Sequence, residues 1–113
     1  MKDGKPYILL VEDNKLAAML ASVILKDLGC LVDLAETGKK ALEMVIQQKY
    51  DLIFMDLGLP QADGIATTES IKQITGMKDI PIIALTAHQK EELKERCLKV
   101  GMTDFLVKPL GSV

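Results

Sequence analysis

The sequence predicts an α/β domain built on a parallel sheet, and three observations carry this prediction. Short apolar runs alternate with longer segments of helical periodicity along the whole chain, which is the pattern of βα units. The runs hold few polar residues, as is typical of strands buried on both faces. Several of them end in polar residues, including Glu12-Asp13, Asp56 and Lys108. In a parallel sheet with right-handed connections, these ends lie at one edge.

The length and composition fit one globular domain that spans residues 1–113. The chain is 49% hydrophobic and 27% charged, with a net charge of -2. It has no basic stripe, so we expect no direct contact with nucleic acid. No apolar run approaches the roughly 20 residues of a membrane helix, so we expect no membrane contact by this segment. The expected location is the cytoplasm, either free or tethered to a membrane-bound sensor.

Five short apolar runs are predicted as strands. They are Tyr7–Val11, Cys30–Ala35, Leu52–Met55, Pro81–Leu85 and Asp104–Val107. The third run is followed by Asp56 and then by Gly58 and Pro60, which favour a turn. The proline of the fourth run is compatible with a strand because it occupies the first position.

The first predicted helix follows the first strand. Asn14 is a suitable N-cap for it, and Gly29 ends it as a C′ residue. Its apolar residues recur at helical spacing. These residues are Leu16, Leu20, Val23, Ile24 and Leu28.

Three further helices are predicted between the later strands. The second begins at Thr37-Gly38, and the third spans about Ile65–Ile74 after a turn at Asp63-Gly64. The fourth spans about Gln89–Val100 and is stopped by Gly101. The inner face of the second helix is predicted to be Ala41, Leu42, Val45 and Ile46.

The strand ends carry the candidate chemistry. Carboxylates of Glu12, Asp13 and Asp56 about 4 Å apart would repel by about 4 kcal/mol per pair at an effective dielectric constant near 20. Such a cluster must protonate, separate or bind a cation, and its hard oxygen donors suit Mg²⁺. A metal-bound Asp can accept a phosphoryl group, whose oxygens Lys108 and Thr86 could bind. A lone Asp after a strand more often opens a turn, but these groups occupy four different strand ends.

Four motifs, in the right order and spacing, resemble those of the receiver domain of two-component response regulators, and the resemblance spans nearly the whole chain. They are Leu-Val-Glu-Asp-Asn (10–14), Met-Asp-Leu-Gly-Leu-Pro-Gln-Ala-Asp-Gly (55–64), Ala-Leu-Thr-Ala-His (84–88) and Asp-Phe-Leu-Val-Lys-Pro (104–109). The resemblance implies a flavodoxin-like, doubly wound sheet of order 2-1-3-4-5. It also implies a phosphorelay in which a phosphohistidine supplies the phosphoryl group. An isolated receiver is then not an enzyme, although it assists its own phosphorylation and dephosphorylation.

The resemblance implies a role for each matching residue. Asp56 would be the phosphoacceptor. Asp13, Asp56 and the backbone carbonyl of Gly58 would bind Mg²⁺ directly, and Glu12 would act through water. Lys108 would hold phosphoryl oxygens.

The resemblance also implies a conformational switch. Thr86 would bind a phosphoryl oxygen, and Phe105 would turn inward as Thr86 moves. The family often has Tyr at the position of Phe105, so a switch in this chain lacks the phenolic hydroxyl. Gly58, where a larger side chain is common, and His88, two residues after Thr86, would tune the lifetime of the phosphate.

Further details are most similar to receivers of hybrid sensor histidine kinases, among them Glu-Arg-Cys-Leu-Lys-Val-Gly-Met (95–102). The expected partner is therefore a histidine kinase or a histidine phosphotransfer domain. The chain stops at Val113, before the fifth helix that the resemblance implies. We expect a receiver truncated before that helix, with a second copy of the chain as one candidate to cover the face it leaves.

Three alternatives fit the sequence less well. A phosphotransferase of the haloacid-dehalogenase type also uses a strand-end Asp with Mg²⁺, but it needs a second Asp where this chain has Gly58. A flavin-binding flavodoxin needs a hydroxyl- and glycine-rich loop where this chain has Glu12-Asp13-Asn14, which would repel phosphate. A receiver-like docking module that is never phosphorylated is the third, and the intact acidic set argues against it.

Overall fold

The computed structural model describes residues 1–58, 64–74, 76–87 and 91–108. Five strands lie in this part of the chain: β1 (Tyr7–Val11), β2 (Leu31–Ala35), β3 (Leu52–Asp56), β4 (Ile82–Thr86) and β5 (Asp104–Val107). Four helices alternate with them: α1 (Lys15–Asp27), α2 (Gly38–Gln47), α3 (Gly64–Lys72) and α4 (Glu91–Lys99). The predicted elements are all present, with boundaries that differ by a few residues. The predicted start of the fourth helix at Gln89 lies outside the described residues.

The strands form one parallel sheet in the order β2-β1-β3-β4-β5. This confirms the predicted α/β fold and its strand order. Because all five strands run in the same direction, their C-terminal ends meet along one edge of the sheet. The residues that follow β1 and β5 therefore lie close to the last residues of β3 and β4.

Alternating residues of the central strands enter two separate cores. On one face, Leu9, Ile53 and Ile82 are fully buried in the core that α2, α3 and α4 cover. On the other face, Leu10 and Phe54 pack against α1. Burial on both faces explains why these strands are nearly continuous apolar runs.

The buried face of α1 differs from the apolar positions that the spacing singled out. Its buried residues are Ala18, Ala21 and Leu25. Four of the singled-out residues are exposed, between 48% and 74%: Leu16, Leu20, Val23 and Leu28. The helix is apolar on two sides, so periodicity alone does not tell which side meets the sheet, and the small alanines allow the closer approach.

The predicted inner face of α2 is correct except at one position. Ala41 and Val45 are buried and Leu42 is half-buried, but Ile46 is 70% exposed. Ile46 follows Val45 by one residue, which turns its side chain about 100° around the helix axis and away from the sheet.

A polar cluster joins three strands near the edge opposite the candidate site. The hydroxyls of Tyr7 and Tyr50 both donate to the carboxylate oxygen Oδ2 of Asp33, the second at 2.7 Å. The two rings lie 4.6 Å apart between centroids. Burial, followed by the hydrogen bond to Asp33, raises the pKa of Tyr50 well above its usual range. This cluster links the starts of β1 and β3 to the edge strand β2.

Candidate functional site

The carboxyl edge of the sheet brings together the residues that the sequence places at four strand ends. Glu12 follows β1, Asp56 ends β3, Thr86 ends β4 and Lys108 follows β5. Together with Asp13 they line one cleft of about 460 Å³. The predicted gathering of these side chains is therefore present in the structure.

Three carboxylates form the acidic part of the site. Glu12, Asp13 and Asp56 each offer one oxygen, and these oxygens lie within 4.8 Å of one another. Glu12 is 2% exposed and Asp56 is 4% exposed, whereas Asp13 faces solvent. The Asn14 side chain accepts a hydrogen bond from the Ala17 amide at 2.9 Å and caps α1, which begins at Lys15, two residues after Asp13.

Lys108 is the positive charge of the site. Its ammonium nitrogen lies 3.0 and 2.9 Å from the two oxygens of Glu12, and 3.1 Å from Oδ1 of Asp56. Its backbone amide donates to the Thr86 carbonyl at 2.7 Å, which places the side chain over the acidic residues. The pairing with Glu12 was missed by sequence reasoning, because the two residues are 96 positions apart and no local signal links them.

Burial and pairing shift the pKa values of Glu12, Asp56 and Lys108 differently. Burial raises the pKa of Glu12 to about 7; the neighbouring Asp56 adds to this and Lys108 opposes it. Burial also tends to raise the pKa of Asp56, but hydrogen bonds from the Gly58 amide, Glu12 and Lys108 outweigh it and hold that pKa below its usual range. Burial acts to lower the pKa of Lys108, yet the two carboxylates keep it raised. Asp56 is thus the carboxylate of this buried pair that favours the ionised form.

The backbone after β3 supports the Asp56 side chain. The Gly58 amide donates to Oδ1 of Asp56 at 3.0 Å. Gly58 is exposed, and a Cβ there would lie 3.7 Å from Oδ1 of Asp56, which is ordinary van der Waals contact. A larger side chain would therefore fit beside the carboxylate, and glycine leaves that side of the cleft open.

Thr86 and Phe105 lie on one face of the sheet. Thr86 is 5% exposed and pairs with Val107 of β5. Phe105 pairs with Ala84, which precedes Thr86 by two residues in β4. Because side chains alternate along a strand, Thr86 and Phe105 are diagonal neighbours. Phe105 is half-buried against the core that α2, α3 and α4 cover. His88 lies outside the described residues.

The donor set fits a hard divalent cation. Three carboxylates and one ammonium leave an excess of two negative charges when all are ionised. Oxygen donors around an open cleft suit Mg²⁺, which keeps several water ligands and takes one or two carboxylates from the protein.

The fold and the site define an α/β protein whose chemistry lies at the carboxyl edge of a doubly wound sheet. The chain belongs to the response regulator receiver domain family, whose model matches residues 8–112. It is thus a receiver domain of two-component signal transduction. Membership of the receiver family excludes the haloacid-dehalogenase and flavodoxin alternatives.

Two solved structures are similar to this chain in fold. The receiver domain of the sensor histidine kinase PA1611 from Pseudomonas aeruginosa PAO1 is 39% identical, with a TM-score of 0.86 over 95% of this chain and 88% of that chain. A magnesium ion is coordinated in its active site cleft. The chemotaxis protein CheY4 of Vibrio cholerae is 29% identical, with a TM-score of 0.92 over 96% of this chain and 90% of that chain.

The curated relatives include sensor histidine kinases. The histidine-protein kinase BarA of Shigella flexneri is 38% identical over 103 residues, which are 91% of this chain and 11% of BarA. The sensor protein GacS of Pseudomonas syringae is 37% identical over 109 residues, which are 94% of this chain and 12% of GacS. The chain therefore spans about a tenth of the length of these relatives. Among the described residues, no helix combines the length and the apolar character that crossing a membrane requires.

Proposed function

We propose that this chain is the phosphoacceptor of a phosphorelay and that Asp56 receives the phosphoryl group. The observation that carries the proposal is the position of Asp56: it is buried, ionised, within 3.1 Å of Lys108, and in an acidic cluster that can hold a cation. An oxygen of Asp56 attacks phosphorus, and the bond from phosphorus to the donor histidine nitrogen breaks. The electron pair of that bond stays on the nitrogen.

The other residues of the site would bind Mg²⁺ and the phosphoryl group. Asp13, Asp56 and the Gly58 carbonyl would hold Mg²⁺ directly, with Glu12 acting through water. When bound, the ion supplies positive charge that offsets the charge of the phosphoryl group. Lys108 binds one phosphoryl oxygen as a point charge, and it can do so because it already lies against Asp56.

The same geometry supports a switch. The Thr86 hydroxyl binds another phosphoryl oxygen, and its movement makes room for Phe105, its diagonal neighbour on the sheet. Phe105 is half-buried, so its ring can turn either towards the core or towards solvent. Gly58 and His88 set the lifetime of the phosphate by controlling the access of water.

The partner that this function requires is a protein carrying a phosphohistidine, either a histidine kinase or a histidine phosphotransfer domain. The named similarity to BarA and GacS supports a hybrid kinase as the parent chain, with this domain on the cytoplasmic side. The domain itself is then not an enzyme. We propose that residues 1–113 belong to a single receiver domain.

A homodimer is a further proposal for the exposed side of α1. Leu16, Leu20 and Val23 lie at helical spacing on that side and are between 48% and 62% exposed. Beside them a groove of about 260 Å³ runs between α1 and β4. A second copy of the chain that covers this surface would remove apolar area from water.

The phosphoacceptor is tested by incubation with acetyl phosphate and MgCl₂, followed by measurement of the intact mass. We expect one phosphoryl adduct on the wild-type chain, none on Asp56→Asn, and none when EDTA replaces MgCl₂. Asp79→Asn, at an exposed position away from the cleft, is the control and should keep the adduct. A folded wild-type chain without an adduct would favour the docking module, and an undiminished adduct on Asp56→Asn would reject the assignment.

A further inference from the structure

Gly64 lies against the backbone of the strand that carries Asp56. It is the buried first residue of α3, and its φ is not in the left-handed region. A Cβ at this position would lie 2.4 Å from the Asp56 carbonyl oxygen and 3.0 Å from Leu57 Cα. Real Cβ atoms essentially never come within 3.0 Å of a non-bonded heavy atom of another residue. Close approach therefore requires a glycine at position 64, whereas its own backbone conformation does not; Asp63, the other residue of the predicted turn, lies outside the described residues.

The backbone that Gly64 contacts is held from both sides. The Leu57 amide donates to the Leu85 carbonyl of β4 at 3.0 Å, and the Gly64 amide donates to the Leu57 carbonyl at 3.4 Å. The fully buried Thr68 hydroxyl donates to the Gly64 carbonyl at 2.8 Å, which anchors the first turn of α3. The end of β3 is thus set between β4 and the start of α3. An added methyl group must push one of these backbones away.

The contacts of the Asp56 carboxylate depend on this backbone. Oδ1 of Asp56 accepts the Gly58 amide at 3.0 Å and lies 3.1 Å from the Lys108 ammonium. Moving the Asp56 carbonyl oxygen from 2.4 Å to at least 3.0 Å from a Cβ at position 64 would shift both contacts. Hydrogen bonds of this length weaken steeply when donor and acceptor lose their alignment.

We propose that Gly64 is a positioning residue of the site. By admitting α3 to the backbone of Asp56 and Leu57, it sets the direction of the Asp56 carboxylate and the location of the Gly58 carbonyl. The effect of Gly64 on phosphorylation rests on the proposed function of Asp56, whereas its effect on the backbone is independent of that function.

The test compares Gly64→Ala with Gly29→Ala. Gly29 has a φ of +93° at the end of α1, by the opposite edge of the sheet, and a Cβ there would meet nothing within 4 Å. Alanine strains the backbone at such a position and lowers stability without a contact to the site. The control therefore separates lost stability from lost positioning.

Amide spectra of the metal-free chain give the first readout. The Leu57 and Gly58 amides are expected to shift in Gly64→Ala and to keep their positions in Gly29→Ala. If Gly64→Ala is largely unfolded in buffer, the spectra are recorded in trimethylamine N-oxide, which favours the folded state. Unshifted Leu57 and Gly58 amides in Gly64→Ala would overturn the proposal.

The rate of phosphorylation by acetyl phosphate and MgCl₂ gives the second readout. Displacement of a reacting group by about 1 Å can slow a reaction by about 100-fold, so we expect Gly64→Ala to react about 10- to 100-fold more slowly than wild type. Gly29→Ala should react at nearly the wild-type rate. Equal rates in Gly64→Ala and wild type would overturn the proposal. If wild type forms no adduct, the proposed function fails, and the metal-free amide shifts still decide the role of Gly64.

Discussion

Buried charge governs the site at the level of single residues. Glu12 and Asp56 are almost fully buried, and Lys108 contacts both. The two carboxylates do not ionise equally, because Asp56 helps to raise the pKa of Glu12 whereas a hydrogen bond from Glu12 helps to lower the pKa of Asp56. The Gly58 amide adds a hydrogen bond to Asp56 only, so the two carboxylates separate in pKa and take different roles.

The two acidic residues after β1 should differ in metal binding. Asp13 is exposed in the cleft, whereas both oxygens of Glu12 are paired with Lys108. We expect Asp13→Asn to weaken Mg²⁺ binding much more than Glu12→Gln does, because Asp13 would be a direct carboxylate ligand whereas Glu12 would reach the ion only through water. Titration of each variant with MgCl₂, followed by amide chemical shifts, measures the difference. Equal losses would contradict the division into direct and water-mediated ligands.

The raised pKa of Glu12 predicts how stability depends on pH without metal. Burial raises this pKa from 4.5 to about 7, so the folded chain holds a proton that the unfolded chain releases between these values. The stabilisation is complete below pH 4.5 and is lost as the pH rises to about 7. At 1.36 kcal/mol per pKa unit, the loss is at most about 3 kcal/mol. The lowered pKa of Asp56 acts in the opposite direction, but only below its ordinary value of 3.8.

Urea unfolding in EDTA at pH 5 and pH 7.5 checks this expectation. The free energy of unfolding of wild type should fall between the two pH values, and Glu12→Gln should show a smaller fall because glutamine does not titrate. Excess MgCl₂ at pH 7.5 should restore part of the stability of wild type. The same pH dependence in both proteins would assign it to other groups.

At the scale of elements, the two edges of the sheet carry separate polar clusters. The acidic cleft lies at the carboxyl edge, and the cluster of Tyr7, Asp33 and Tyr50 lies towards the amino edge. The second cluster ties the edge strand β2 to β1 and to the start of β3. We expect it to stabilise the fold, because it fastens an edge strand that has a neighbour on one side only.

Tyr50→Phe tests this separation. The substitution removes one hydrogen bond to the Asp33 carboxylate and keeps the ring, so we expect a loss of about 1–2 kcal/mol in the free energy of unfolding. Mg²⁺ binding and phosphorylation of the folded variant should stay unchanged, since the site lies at the other edge. Urea unfolding measures the first quantity, and the acetyl phosphate reaction measures the second. An unchanged stability would show that water replaces the hydroxyl at Asp33.

At the scale of the whole molecule, the outer side of α1 is the surface that a homodimer would use. Leu20 is 48% exposed there and lines the groove beside β4. On β4, Ile82, Ala84 and Leu85 are buried, whereas Leu106 and Val107 of β5 are 36% and 39% exposed. Among the described residues, α1 exposes more large apolar side chains than any other helix or strand.

Leu20→Glu tests the homodimer. If a second copy covers α1, a charge at its centre should keep the chain monomeric at concentrations where wild type associates, because burying an unpaired carboxylate is costly. Ile46→Glu, at a 70% exposed position on α2, is the matched control and should associate like wild type. Sedimentation equilibrium over a range of concentrations measures the association. A wild-type chain that is monomeric throughout would reject the homodimer.

The sequence by itself determined the order of the elements and the set of residues at the site. Strands and helices differ in periodicity, and turn residues mark their ends, so both signals are local. The parallel direction of the strands then places Glu12, Asp56, Thr86 and Lys108 at one edge, whatever the details of packing.

Only the tertiary structure decided which apolar side of α1 is buried, that Lys108 pairs with Glu12, and why position 64 is a glycine. Each of these depends on distances between segments far apart in the chain. Periodicity cannot separate two apolar sides of one helix. A contact across 96 positions leaves no local signal in the sequence. Gly64 comes close to the Asp56 carbonyl only when α3 packs against β3. The steric requirement for glycine therefore leaves no signal in the sequence.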